Sequence, residues 1–170
     1  MESSFVKQSR CYKTARIFPN DVNNHNTLFG GKLMSYIDDI ASISASKHCR
    51  RSVVTASTDS VDFLSPINPS DSVCLESFVT WTGRSSMEVF VKVITEDLMT
   101  SERNIAATSF LTFVAMGDDN KPAPVPKVIP ETDEEIKLHE TAVGRAERRK
   151  QRRAESAKFA NYLTMTFPWE

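Results

Sequence analysis

No stretch of this chain approaches the ~18 consecutive apolar residues that a membrane-spanning helix needs, so no membrane partner is expected. The first residues, Met1 to Arg10, are polar and lack the apolar centre of a secretory leader. Cysteine is sparse: Cys11, Cys49 and Cys74 are odd in number and far apart, which argues against a disulfide framework and for a reducing compartment. No CxxC or HxxxH pair occurs, so no metal site is expected. The net charge of −1 supplies no global pull toward nucleic acid or anionic lipid. Any polyanion site must be local, and the cytoplasm is the expected location. No internal repeat is visible.

What is present is an ordinary globular composition, 40% hydrophobic and 25% charged over 170 residues, enough for one domain with one substantial core. A short strand is expected from Tyr12 to Phe18, ended by Pro19, followed by a turn-forming stretch from Asn20 to Thr27. Phe29-Gly30-Gly31 then leads into a long helix reaching about His48. Its Leu33, Ile37, Ile40, Ala41 and Ser44 recur at helical spacing, and small residues thin its second half so that something can pack close. After Arg51 the period becomes two, predicting strands over 52–64, 71–82, 86–96 and 103–115. The breaks at Pro66 to Ser70, Gly83-Arg84 and Thr95 to Glu102 are too short for parallel crossovers, so the strands are expected to pair antiparallel.

Residues 1–120 are thus expected to form the main domain, and 121–130 a linker holding Pro122, Pro124, Pro126 and Pro130. Residues 131–170 are expected to form a second helix and tail, packed on the same domain or on a neighbouring subunit. That helix is acidic at its start and basic at its end, which suits the macrodipole. The pattern is α+β: a curled antiparallel sheet wrapped around one buried helix. The sheet alone does not readily close over the helix, so self-association is expected.

Two features suggest chemistry. Asp38 and Asp39 interrupt an otherwise uncharged stretch from Leu33 to Ser46. With the apolar stripe centred near Ile37 and ~100° per residue, Asp38 falls at its border and Asp39 almost opposite. A border carboxylate can reach a cleft while partly desolvated; the plainer alternative is a pair of solvent-facing acids. Gly30-Gly31 leaves helix-start amides open to an oxygen atom, where the positive helix end favours a developing oxyanion; the plainer alternative is a tight turn.

Taken together, Asn23, the run Phe29-Gly30-Gly31-Lys32-Leu33-Met34 and Asp38 resemble the signature of hotdog-fold acyl-CoA thioesterases. More narrowly, they resemble bacterial single-domain members related to mammalian cytosolic acyl-CoA hydrolases. The likeness continues through Lys47-His48-Cys49, Val54-Thr55-Ala56-Ser57 and Asp62-Phe63, then Gly83-Arg84-Ser85-Ser86-Met87-Glu88-Val89, Val125-Pro126 and Pro130-Glu131-Thr132. It covers roughly residues 12–150. The resemblance implies a hotdog fold with about five strands and hydrolysis of acyl-CoA to free fatty acid and CoA, with CoA as part of the substrate and no separate cofactor. It implies Asp38 as general base or nucleophile, Asn23 orienting water or the carbonyl, and the Gly30 and Gly31 amides polarising that carbonyl. Asn23 and Asp38 would come from different protomers of a dimer, with a trimer of dimers common among relatives. Arg84, Ser85 and Ser86 would lie near the CoA phosphates, and Thr55 and Ser57 along the pantetheine path. One departure stands out: relatives usually carry glycine where this chain has Asn26, a residue that tolerates left-handed backbone better than other non-glycine types.

His25 is read as a loop residue. His48-Cys49 falls at a helix end, where neighbours i and i+1 do not face each other, so no catalytic pair is expected there. The basic run of Arg145, Arg148, Arg149, Lys150, Arg152 and Arg153 is expected to be a solvated helix face, with attraction of the CoA 3′-phosphate as the alternative. No nucleic-acid motif accompanies it. The aromatic end, Phe159 to Trp169, is expected to dock on a partner subunit. Two other functions fit the fold: a hotdog regulator that binds acyl-CoA without turnover, and a hotdog dehydratase or hydratase. The second normally pairs histidine with an acid, and the first part of this helix has no histidine.

Overall fold

The computed structural model describes residues 2–167 and Trp169, so Met1, Pro168 and Glu170 lie outside the described residues. The elements run β1 (Ser3–Phe5), α1 (Val6–Ser9), β2 (Cys11–Arg16), a 3-10 turn (Pro19–Asp21), α2 (Gly30–Cys49), β3 (Ser52–Phe63) and β4 (Asp71–Thr82). They continue with β5 (Ser86–Asp97), β6 (Arg103–Met116), β7 (Lys127–Ile129) and α3 (Asp133–Ala160). Five strands form one antiparallel sheet in the order β2-β4-β5-β6-β3. Hairpins join β4, β5 and β6, while β2 and β3, which flank α2 in sequence, occupy opposite edges. The helix therefore crosses the sheet from one edge to the other, touching all five strands.

The apolar stripe dictates that placement. Leu33, Ile37, Ile40, Ala41 and Ser44 are all buried, as the helical period requires, and each large apolar side chain so buried contributes about 1.5–3 kcal/mol. Ala41 and Ala45 are fully covered, and their small size lets β4 approach closely enough for Ser44 Oγ to donate to the carbonyl of Ser77 at 3.1 Å. The helix closes at Arg50, whose φ of 53° turns the chain away from the helical path.

Strand β5 at the sheet centre explains why its sequence alternates poorly. Met87, Val89, Val91 and Val93 are buried on the face toward α2, yet Glu88 and Phe90 are buried too, because α3 lies across the opposite face. A capping box starts α3: Thr132 Oγ1 accepts from the Glu135 N–H at 3.3 Å, and Glu135 Oε2 accepts from the Thr132 N–H at 3.1 Å. Periodicity missed β1, α1 and β7. The expected proline linker ends in β7, which pairs parallel to the N-terminal β1. Both strands are three residues long, too short for any period to show, and they meet only because the fold brings distant ends of the chain together.

Candidate active site

The loop before α2 is built around Asn23. Its N–H donates to the Thr27 carbonyl at 2.9 Å and its own carbonyl accepts from Asn26 at 3.0 Å, closing a tight turn. Asn26 has φ 57°, so the loop takes a left-handed position there, held by a non-glycine type well able to adopt it. The Asn23 amide is oriented by the same loop: Oδ1 accepts from the His25 N–H at 2.9 Å and the Thr27 N–H at 3.2 Å, and Nδ2 donates to Thr27 Oγ1 at 3.0 Å. Among the described residues, one Nδ2 hydrogen has no acceptor. His25 is an exposed loop residue.

Asn23 and Gly30 line a cleft of about 410 Å³ that also holds Leu33, Phe63, Leu64 and Ile67. Gly30 and Gly31 are the first two residues of α2, and their amides find no acceptor among the described residues. A side chain on Gly31 would come within 2.6 Å of the Phe29 ring, and one on Gly30 within 3.5 Å of the Phe63 ring. The bare backbone thus leaves an apolar-walled opening above two unpaired donors.

Asp38 lies farther along the helix. It is exposed in the single chain, on the outer side with Met34 one turn before it, itself 47% exposed. Asp38 Oδ1 accepts from Thr55 Oγ1 of β3 at 3.0 Å, leaving Oδ2 free among the described residues. The expected partial burial of Asp38 is therefore not supplied by its own chain. Asp39 points away as expected and pairs with Lys13 of β2.

At 1.5 Å per residue, Asp38 stands about 12 Å along the helix axis from Gly30. A carbonyl held by the helix-start amides within hydrogen-bond reach, ~3 Å, is out of reach of that carboxylate in the same chain. The fold thus joins Asn23 to the helix start and Asp38 to Thr55, but keeps the two pairs apart.

Thr55 and Ser57 part company as well. A register shift separates them, so that they oppose the adjacent residues Phe113 and Thr112 of β6. The bulge sends Thr55 to the α2 face and Ser57 to the α3 face, where Ser57 Oγ donates to Asp59 at 2.6 Å. The β4–β5 turn carries Arg84, Ser85 and Ser86. Arg84 is exposed, and the turn is tied down through backbone, Val125 N–H donating to the Arg84 carbonyl at 3.0 Å and Ala115 N–H to that of Ser85 at 2.9 Å. Ser86 opposes Val114, which opposes Val54, so the turn lies level with Thr55 and about 10 Å across the sheet.

Sequence reading missed a buried ion-pair cluster. Glu88, fully buried, accepts from Arg145 at 2.8 Å, Arg149 at 3.4 Å and Thr80 at 2.8 Å. Asp59 accepts from Arg149 at 3.1 Å, Arg152 at 2.5 Å and Thr112 at 2.7 Å. The basic run on α3 is therefore not one solvated face. Arg145, Arg149 and Arg152 turn inward to carboxylates, while Arg148, Lys150 and Arg153 have no ion pair among the described residues. The signal was available in Glu88, a charge inside an apolar strand.

Burial alone would raise Asp59, but hydrogen bonds from Ser57, Thr112 and Arg152 and the charge of Arg149 outweigh it and hold the carboxyl below its usual range. Glu76 and Glu135 are likewise held low against burial, the first mainly by Lys92 and Arg10, the second mainly by the Glu131 and Thr132 amides and Arg10. His48 is pushed down by burial, with its bond to the Pro126 carbonyl at 3.0 Å opposing. All four values lie lower folded than unfolded, so the stability they carry is complete above the unfolded values and drains as pH falls through the folded ones. Stability is expected to start declining below about pH 6.5 through His48 and to fall faster below about pH 4 through the carboxylates. Urea midpoints measured from acid to neutral pH check this; a midpoint flat through that range contradicts it.

A long helix laid in a curled five-stranded antiparallel sheet, with a second helix across the opposite face, is the hotdog fold of thioesterases. The thioesterase superfamily pattern matches residues 25–102. The uncharacterized acyl-CoA thioester hydrolase YkhA of Bacillus subtilis is 68% identical over 168 residues, 99% of this chain and 98% of that protein. The cytosolic acyl coenzyme A thioester hydrolase of Rattus norvegicus is 33% identical over 85% of this chain, which spans 38% of that protein's length. Among solved structures, the acyl-CoA hydrolase of Bacillus cereus superposes with TM-score 0.94 at 58% identity, over 96% of this chain and 100% of that one. The Staphylococcus aureus acyl-CoA hydrolase in complex with butyryl coenzyme A, coenzyme A and coenzyme A disulfide superposes with TM-score 0.91 at 48% identity, over 94% of this chain and 98% of that one. The chain belongs to the thioesterase superfamily, among its acyl-CoA thioester hydrolases. No helix among the described residues is long and apolar enough to cross a membrane.

Proposed function

We propose that this protein hydrolyses acyl-CoA to a free fatty acid and coenzyme A in a site shared between two copies of the chain. The observation that carries the reading is the separation just described: the oxyanion donors and the carboxylate are both present, both open, and about 12 Å apart in one chain. A second copy unites them. Edge strand β3 is twelve residues long and offers an unpaired edge to a partner. Beside it, Met34 and Val54 are 47% and 49% exposed, an apolar surround that a partner would cover, desolvating Asp38 as it does so.

In that arrangement the thioester oxygen sits on the Gly30 and Gly31 amides of one protomer, oriented by the remaining Nδ2 hydrogen of Asn23. Asp38 of the other protomer, steadied by Thr55, acts through its free oxygen. It either removes a proton from the attacking water or adds to the carbonyl carbon, giving an anhydride that water opens. Each route breaks the carbon–sulfur bond, and the thiolate of CoA leaves as the negative charge on oxygen collapses. Arg84 and the Ser85 and Ser86 hydroxyls meet the CoA phosphates from the β4–β5 turn. Asparagine, aspartate and threonine each replaced by alanine in structures of the Staphylococcus aureus enzyme are spaced along that chain as Asn23, Asp38 and Thr55 are here, which supports the assignment. An apo-hexameric acyl-CoA thioesterase, 50% identical with TM-score 0.88, supports three such dimers in a hexamer.

Mixing two inactive variants tests the shared site. Asp38→Asn and Asn23→Ala chains, after subunit exchange, are expected to regain roughly a quarter of the wild-type rate, since half of the dimers are hybrids and each has one intact site. No recovery despite demonstrated exchange refutes a composite site. Tight acyl-CoA binding by the wild-type protein with no release of CoA thiol would instead make it a non-catalytic regulator.

A further inference from the structure

Strand β3 carries two register shifts within six residues, between Thr55 and Ser57 and between Thr58 and Ser60. Within its own chain it is paired only with β6, so only one strand of that chain enforces its register. A one-residue slip in such a strand exchanges its faces, which would turn Thr55 away from α2 and from Asp38. Something must pin the bulged stretch. Asp59 lies inside it and is gripped from α3: Arg149 Nη1 donates to Oδ2 at 3.1 Å, Arg152 Nη2 to Oδ1 at 2.5 Å, and Arg152 Nη1 to the Asp59 carbonyl at 3.0 Å. Asp59 in turn holds Ser57, beyond the first bulge, and Thr112 on β6. The guanidinium of Arg149 is itself buried and braced by Glu88 at 3.4 Å.

We infer that Asp59, Arg149 and Arg152 are positioning residues, clamping the doubly bulged part of β3 in the register that presents the Thr55 hydroxyl to Asp38. The inference rests on the catalytic role proposed for Asp38. It gives α3, which lies outside the matched residues 25–102, a part in catalysis without touching substrate. Bulges re-aim side chains, and a charged, bidentate grip on the backbone and side chain of the same residue removes the freedom to slip.

A double-mutant cycle in the full-length protein separates positioning from mere support. With butyryl-CoA as substrate, Asp59→Asn is expected to lower kcat about tenfold or more, as displaced catalytic groups do, with KM changed less than about twofold. In a Thr55→Val background the same substitution is expected to have no further effect on kcat, because the hydroxyl it positions is gone. Gln151→Ala, on the same helix and with its side chain bonded among the described residues to Glu155 alone, serves as the unaffected control. Should Asp59→Asn fail to fold, Arg152→Gln, at a side chain 44% exposed, loosens the same grip. Equal loss of kcat in both backgrounds overturns the inference, as does an unchanged kcat where Thr55→Val is impaired. Full rates in both Thr55→Val and Asp38→Asn would instead refute the proposed site itself.

Discussion

Asp38→Asn is expected to lower kcat by about 10²-fold or more, the scale of a lost general acid–base group, while leaving the fold intact. The substitution keeps the shape and an oxygen to accept from Thr55 Oγ1, now at 3.0 Å, and removes the ability to take a proton or attack carbon. Because Asp38 pairs with no cation among the described residues and its bond is to the neutral Thr55 hydroxyl, removing its charge leaves no opposite charge uncompensated and melting should scarcely change. KM should move little, since the CoA contacts proposed for Arg84, Ser85 and Ser86 lie about 10 Å across the sheet. Asp39→Asn supplies the contrast: its carboxylate faces the other way and pairs with Lys13, so its rate should equal wild type. Thiol release from acyl-CoA, followed in parallel with thermal melting, measures both. An Asp38→Asn protein with full rate would remove the carboxylate from the mechanism.

The largest stability effect is expected at Glu88. Glu88→Gln leaves the guanidiniums of Arg145 and Arg149 facing a neutral amide in a fully buried position, and breaking one side of a buried pair costs about 3–5 kcal/mol. For a chain of this size that is a fall in Tm of about 10 °C. Pairing the change with Arg145→Met should recover part of the loss, because the uncompensated charge rather than the missing attraction dominates the cost. Arg149 keeps Asp59 at 3.1 Å and needs no replacement. Thermal unfolding followed by circular dichroism measures it. A shift below about 2 °C, under one kcal/mol for this size of chain, would mean that the α3 side of the sheet is open to water.

The pH dependence expected at Asp59, Glu76, Glu135 and His48 draws on the same architecture. Asp59, Glu76 and Glu135 each pair with an arginine or lysine from another element, so acid withdraws charges that join the layers, whereas at buried His48 it adds a charge that burial disfavours.

Much of this was legible in residue order. Leu33, Ile37, Ile40, Ala41 and Ser44 announced α2 and its buried face, and the change to a period of two after Arg51 marked β3 to β6 to within a residue or two of their ends. Burial acts directly on such patterns: a helix that hides one stripe, or a strand that hides one face, writes its spacing into neighbouring positions. The Asn23 loop, with Asn26 at a left-handed φ, and the bare glycines at the start of α2 were legible for the same reason, since their constraints are local.

Contacts between distant segments were not. Thr55 and Ser57 looked like equivalent lining residues until a bulge, invisible to any period, turned them to opposite faces. The arginines of α3 looked like a solvated face because their carboxylate partners lie some sixty to ninety positions earlier in the chain. β1 and β7 are too short to carry a period and exist only as a pair. Local sequence was enough to say which residues hide and which turns need special backbone; which charges meet, and which face of the sheet each side of the β3 bulge takes, depended on the packing of layers that no short window spans.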